Sequence, residues 1–238
     1  DHNTEINSIL YDYGFSPKFP DKVEKSANKI SEIISKEEVS KRLDIRKTTT
    51  FTIDPKDAKD FDDALSVKKL NNGNWEVGVH IADVSHYVEK GETIDKEAVE
   101  RATSVYLVDR VIPMLPEILS NNICSLKPNV DRLAYSVLFE MDEKANLIDY
   151  KISKTVIHSD VRFTYQTAQD VIDNNEGKLK SEILLLDKLS KVLRKKRQQN
   201  GSINFESTEV KFILDKDGNP VDVYFKESLS TNHLIEEF

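Results

Sequence analysis

The chain has 238 residues, with 34 Lys plus Arg against 42 Asp plus Glu, so its formal net charge is −8. That length suits one large domain or two small ones and can bury a core without staples. Its acidity argues against a uniformly basic nucleic-acid-binding coat, while leaving room for a site whose local charge differs from the average. A composition of 38% hydrophobic and 32% charged residues is that expected of a water-soluble protein, and no apolar run approaches the ~20 residues of a membrane helix. The lone Cys124 has no partner for an internal disulfide, which reads as a cytoplasmic chain. With no initiator Met, and with residues 233–238 ending on helix formers that lack a stop signal, the expectation is a fragment.

Residues 1–20 mix Gly, Pro and aromatics (Tyr11, Tyr13, Phe15, Pro17, Phe19) and predict an extended lead-in. From Asp21, read as an N-cap, the apolar positions Val23, Ala27, Ile30, Ile34, Val39 and Leu43 predict a helix. After Arg46 the period becomes two, which separates a lead-in segment and helix (1–45) from the main domain (46–238). Residues 48–53 read as a strand, and 64–69 with 75–81, joined through Asn71-Asn72-Gly73, as a hairpin. An amphipathic helix is expected over 94–107 and an ordered, proline-bearing loop with short helical turns over 108–131. Strands follow at 133–141 and 147–158, a long helix at 181–199, and late strands at 210–214 and 221–225 around an Asp217-Gly218 turn. Hairpins rather than β-α-β alternation predict an α+β fold, a mostly antiparallel sheet flanked by helices.

The most informative stretch is Asp54-Pro55-Lys56-Asp57-Ala58-Lys59-Asp60-Phe61-Asp62-Asp63-Ala64. So many acids within one decapeptide repel one another and need either full solvation or a cation. Carboxylate oxygens are hard ligands that suit Mg²⁺, Mn²⁺ or Ca²⁺. A calcium loop of the EF-hand type is disfavoured, because no Gly occupies the sixth place and strands flank the segment. A solvated acidic turn is the ordinary reading of such a run, yet Ile53, Phe61, Ala64 and Leu65 pull it toward a core. Spacing alone leaves the metal site and the acidic turn both open.

Thr52-Ile53-Asp54-Pro55 and Ala58-Lys59-Asp60-Phe61-Asp62-Asp63-Ala64 resemble the signature of the ribonuclease II/ribonuclease R (RNB) exoribonucleases. So, in order, do 79–88, 104–116, Ser120-Asn121, Cys124-Ser125-Leu126, Arg132-Leu133-Ala134, 201–205 and 234–237. The likeness covers nearly the whole chain, and the bacterial ribonuclease R branch fits best. It implies the first half of a catalytic domain that hydrolyses single-stranded RNA from its 3′ end to nucleoside 5′-monophosphates. It also implies Mg²⁺ held by Asp54, Asp60, Asp62 and Asp63, which are all present. Tyr106, otherwise read as a helix tyrosine packed into the core, would contact the 3′-terminal nucleotide. Phe205 would complete an aromatic clamp, since stacking suits a sequence-tolerant enzyme. Tyr165 and Glu236 would meet ribose 2′-hydroxyls, with Glu236 against Glu237 left open. The remainder of the catalytic domain, cold-shock domains and an S1 domain are expected elsewhere in the full-length protein. This piece alone is therefore expected to lack full activity. The rival reading is a non-catalytic RNA-binding or scaffolding module of the same fold.

Other residues read as structural. His80, Asp83 and His86 are spaced too far apart on a strand to chelate and are expected as hydrogen-bonded core groups. Cys124 reads as a small buried hydrophobe. The basic run Lys188, Lys191, Arg194, Lys195, Lys196 and Arg197 is a solvated helix face or a phosphate-contacting rim. Asp57, exposed between two lysines, is not read as a ligand.

Overall fold

The computed structural model describes residues 2–203, 209–215 and 218–238. Phe205 and Asp217, named above for the aromatic clamp and the late turn, lie outside the described residues. The chain divides into two compact units. One comprises Ile33–Asp83, Cys124–Glu206 and Ser228–Phe238; the other comprises Asp1–Glu32, Val84–Ile123 and Ser207–Glu227.

The first unit is built on a seven-stranded sheet. Its strands are β1 (Leu43–Asp44), β2 (Thr50–Asp54), β3 (Asp63–Lys69), β4 (Trp75–Ala82), β7 (Asp131–Met141), β8 (Leu147–His158) and β9 (Val161–Thr164). They lie in the order β1-β8-β7-β4-β3-β2-β9. The pairs from β8 through β2 are antiparallel, while the two outermost pairs, β1–β8 and β2–β9, are parallel. The Asn-Gly turn sets the β3–β4 register, with Val67 opposite Val77 and Asp63 opposite Ile81. Gly73 there has φ 89°, a conformation that costs glycine little.

Alternation gives the sheet two different faces. One carries Phe51, Ile53, Leu65, Val67 and Val77 against α6 (Tyr165–Asn174), α7 (Lys180–Gln199) and α8 (Ser230–Glu237). Helix α7 forms because Ile183, Leu186 and Leu189 fall on one stripe; all three are buried, each contributing about 2 kcal/mol of apolar burial. The opposite face is buried yet polar, with Thr50, Thr52, Ser66, His80, Ser136 and Thr155 essentially inaccessible. Thr50 Oγ1 donates to the Thr48 carbonyl at 2.9 Å, Thr52 Oγ1 has no hydrogen-bond partner, and the other four groups satisfy one another. His80 Nδ1 lies 2.7 Å from Ser136 Oγ and Nε2 lies 2.9 Å from Ser66 Oγ. Ser136 Oγ is 2.6 Å from Thr155 Oγ1, whose hydrogen goes to the Ala134 carbonyl at 3.2 Å. Thr155 thus accepts from Ser136, Ser136 accepts from His80 Nδ1–H, and Nε2 is left to accept from Ser66. Gly78 makes room: a Cβ there would stand 2.4 Å from Ser66 Oγ and 2.7 Å from the His80 ring.

Helix α3 (Lys36–Ser40), capped by the Ser35 hydroxyl, delivers Arg42 to this same unit. Arg42 Nη1 pairs with Asp83 Oδ2 at 2.7 Å and its Nε with Glu38 at 2.6 Å.

The second unit contains α1 (His2–Asp12), α2 (Asp21–Ala27), α4 (Val84–Tyr87) and α5 (Thr93–Arg101). It also holds two hairpins, β5 (Val105–Tyr106) with β6 (Val111–Ile112) and β10 (Glu209–Leu214) with β11 (Pro220–Lys226). Arg101 lies 3.7 Å over the Phe19 ring and donates to the Ser16 and Lys18 carbonyls at 3.0 and 2.9 Å.

Three predicted elements are corrected. Residues 2–12 are helical rather than extended, because Ile6, Ile9, Leu10 and Tyr13 recur at helical spacing and Leu10 is buried. The helix from Asp21 is two short ones interrupted over 28–35, with Ile33 exposed; Pro20, not Asp21, precedes the first turn. The helix expected to 107 stops at Arg101, since Ala102 adopts φ 62°, and Tyr106 lies on β5. Strand β9 and helix α6 were not foreseen. The expected α+β architecture, a large sheet flanked by helices, is present. Among the described residues no helix is long and apolar enough to cross a membrane.

Candidate active site

Strand β2 ends at Asp54 and β3 begins at Asp63, so the acidic segment is a loop spanning two neighbouring strands of the sheet. Asp54 is buried, and its Oδ2 has no hydrogen-bond partner. Burial first, then the charges of Asp63 and Asp60, push its carboxyl up to about 6, against the nearby Thr52 hydroxyl and Arg162. Asp62, whose side chain still reaches solvent, is raised by partial burial and then by Asp60 and Asp63. Burial raises Asp63 as well. Asp57 is exposed, as expected. Like charges driven together at the cost of their ionisation are what a bound cation would relieve.

Two more sequence candidates connect to these acids, Tyr165 directly through its electrostatics and Glu236 through Tyr165. Thr164 caps α6: its hydroxyl accepts from Thr167 N–H at 3.0 Å, and Thr167 Oγ1 accepts from Thr164 N–H at 2.9 Å. Tyr165 is thereby fixed in the first turn, half-buried, with its hydroxyl pKa raised by burial and then by Asp63, Asp54 and Glu236. Helix α8 is tied beside it, since Thr231 Oγ1 donates to the Tyr165 carbonyl at 3.0 Å. Glu237 is buried against Arg194 and Arg197, whereas Glu236 is exposed. Burial would raise Glu236, but hydrogen bonds with His233 at 3.1 Å and Arg194 at 3.0 Å outweigh it and leave its pKa lowered. Tyr106 belongs to the second unit, where it is 65% exposed on the β5–β6 hairpin.

The residues read as structural behave so, except that His86 is no strand or core residue: it is half-buried on α4 of the second unit. His80 is buried and its pKa falls to about 4 because burial penalises the imidazolium. Asp83 is paired to Arg42, and His86 packs edge-on against Tyr87 at 4.8 Å. Burial, then Asp62, pushes the Cys124 thiol up to about 12. Much of the basic run on α7 is consumed internally. Lys191 pairs with Asp187, Arg194 and Arg197 hold α8, and Lys196 donates to the Lys144 and Ala145 carbonyls.

Two residues that sequence reasoning passed over hold the loop. Ser125 Oγ accepts from Phe61 N–H at 3.0 Å and donates to the Lys59 carbonyl at 2.8 Å. Arg162 on β9 donates to the Pro55 carbonyl and, at 3.1 Å, to the Lys56 carbonyl, with its guanidinium 5.5 Å from the Phe61 ring centre. The only sequence signal was a lone arginine between Val161 and Phe163, and a serine inside Cys124-Ser125-Leu126.

Residues 42–238 match the family model described as the RNB domain. The chain belongs to the RNB family. It is 39% identical over 244 residues to "Ribonuclease R 1" of Lactococcus lactis, covering 100% of this chain and 30% of that protein. To "DIS3-like exonuclease 2" of Schizosaccharomyces pombe it is 44% identical over 249 residues, 98% of this chain and 27% of the other. Among solved structures, Mycoplasma genitalium RNase R in complex with ribose methylated single-stranded RNA superposes with a TM-score of 0.90 at 31% identity. That match covers 98% of this chain and 37% of the other. The chain thus spans about a third of the length of these relatives.

The donor set suits a divalent cation in kind: carboxylate oxygens alone, one of them buried and unpartnered. Among the described residues no three His, Cys, Asp or Glu side chains stand close enough together to hold an ion, so the residues define a donor set and not a coordination geometry.

Proposed function

We propose that this chain is the first half of the catalytic domain of a 3′→5′ exoribonuclease. It would act on single-stranded RNA, with Mg²⁺ held by Asp54, Asp60, Asp62 and Asp63, releasing nucleoside 5′-monophosphates. The observation that carries the reading is buried Asp54, whose Oδ2 has no partner and whose ionisation is opposed by burial and by the charges of Asp63 and Asp60, with Tyr165 feeling the same carboxylates. The relatives' names and the RNA-bound RNase R structure support an RNA substrate.

The bound cation would lower the barrier by neutralising charge on the reacting phosphate and favouring ionisation of the attacking water. The protein's own groups do the rest. Burial and neighbouring carboxylates keep the Tyr165 hydroxyl protonated, so it donates to a ribose or phosphate oxygen. Glu236, held ionised by His233 and Arg194, accepts from a ribose 2′-hydroxyl, the group that distinguishes RNA from DNA. Glu237 is spent on Arg194 and Arg197, which favours Glu236 for that role. Tyr106 offers an exposed ring for stacking on the 3′-terminal base, and the same kind of stacking contact is assigned to Phe205. In this reading residues 46–238 are the catalytic-domain half and 1–45 the lead-in. The rest of that domain, with cold-shock and S1 domains, would lie elsewhere in a cytoplasmic full-length protein, so this piece alone would lack full activity.

The test is to incubate the full-length polypeptide with 5′-labelled single-stranded RNA and Mg²⁺, to follow shortening of the labelled strand on a gel and to measure released mononucleotides by chromatography. Stepwise shortening from the 3′ end, lost in Asp63→Asn, is the expected outcome. Binding without release would leave the non-catalytic RNA-binding module, and undiminished release by Asp63→Asn would overturn the site.

A further inference from the structure

The acidic loop has a problem that its own side chains cannot solve. Carboxylates that repel one another will spread unless something else fixes the backbone between them. The structure supplies that fixation through main-chain atoms. The two Ser125 bonds fall on the residues either side of Asp60, Phe61 N–H and the Lys59 carbonyl. Leu126 N–H donates to the Phe61 carbonyl at 2.8 Å, and Ala82 N–H donates to the Asp62 carbonyl at 2.9 Å. Ser125 is itself fully buried and held by Arg132, whose Nε donates to its carbonyl at 2.9 Å. On the other side Arg162 takes the carbonyls of Pro55 and Lys56, the two residues that follow Asp54. Its guanidinium also faces the Phe61 ring, so one side chain touches both ends of the loop.

We propose that Ser125 and Arg162 are positioning residues that clamp the Asp54–Phe61 loop from opposite ends and so set its affinity for a divalent cation. This rests on the metal reading above. Neither residue needs to touch the ion or the RNA. Each acts by removing the freedom the loop would otherwise lose on binding, which is how preorganisation raises affinity. Arg162 has a second effect, since its positive charge beside Asp54 offsets part of the repulsion among the acids. Ser125 supplies geometry alone.

The test uses Mn²⁺ as the probe, titrated into the full-length polypeptide and read from the electron paramagnetic resonance of the free ion. Ser125→Ala and Arg162→Gln should each weaken Mn²⁺ binding by about tenfold or more, the usual cost of losing a group that orients a ligand. Arg162→Lys, which can donate to one carbonyl but not bridge two, should recover part of the loss. With RNA at low Mg²⁺ the same variants should lose kcat while KM for RNA holds, and raising Mg²⁺ should restore the rate. Circular dichroism and thermal melts confirm folding at the assay temperature. If Ser125→Ala does not fold, Arg162→Gln, on a half-buried residue, decides the matter. Mn²⁺ affinity within twofold of wild type in folded Arg162→Gln would overturn the proposal and leave the metal reading intact. A wild-type protein that binds no Mn²⁺, or binds it unchanged after Asp54→Asn, would overturn the metal reading and this inference with it.

Discussion

Folding holds His80 neutral, and the cost of that shows in the stability of the sheet as pH falls. Its folded pKa lies near 4 against a reference of 6.5, because the ring is buried between Ser66 and Ser136. The unfolded chain therefore takes up the proton first. The contribution is complete above pH 6.5, is lost as pH falls from there toward 4, and changes no further below that. A drop from 6.5 to about 4 corresponds to about 3 kcal/mol in all, of which about 2 kcal/mol disappears between pH 7 and pH 5. The measurement is urea unfolding followed by Trp75 fluorescence at pH 5, 6 and 7, comparing wild type with His80→Gln. Glutamine keeps one donor and one acceptor but does not titrate. Buried Asp54 and its neighbours shift the other way, so the absolute curve of either protein mixes opposing slopes. The difference between the two proteins isolates the histidine. That difference should shrink by about 2 kcal/mol from pH 7 to pH 5. Parallel curves, constant to within about 0.5 kcal/mol, would refute the assignment of a buried neutral ring.

Two further outcomes follow from the same reasoning about buried charge. Asp54→Asn should raise the thermal midpoint at pH 7 in chelator, because a carboxyl raised to about 6 is ionised there at a cost that a neutral isostere avoids. Discounted for its partial contact with water, the gain is about 1–2 kcal/mol, and a lower midpoint would contradict it. Asp83→Asn strands the buried Arg42 and should cost about 3 kcal/mol in urea unfolding, less than the full penalty because Glu38 still holds the guanidinium. A loss below about 1 kcal/mol would show that the pair is not desolvated.

Where the chemistry is contiguous, the sequence was legible. The β3–β4 hairpin announces itself by alternation around Asn72-Gly73, and α7 by one apolar stripe over 20 residues. The aspartates declare themselves because they crowd one decapeptide. Helix α6 escaped because only Ala168 and Val171 of its ten residues are buried, too few for a period to show. The helix over 94–107 overran because nothing in Ala102 advertises a left-handed backbone. The loop's supports were hidden for a different reason. Ser125 lies 64 residues from Phe61, and Arg162 lies 107 from Pro55. A hydroxyl bound to a distant carbonyl leaves no local pattern.

Because the acidic loop is gripped by its peptide groups, its shape does not depend on what several of its side chains are. Lys56, Asp57 and Lys59 are exposed, and the bonds to Lys56 and Lys59 run to carbonyls that every amino acid possesses. These positions are thus free to drift in charge and size while the chemistry between them stays fixed. They are places where descendants of this chain could be tuned for different ionic surroundings or tagged without touching the reaction. The same logic makes a proline at Phe61 far more damaging than most polar replacements at Lys59, since it would delete a donor that no side chain can restore.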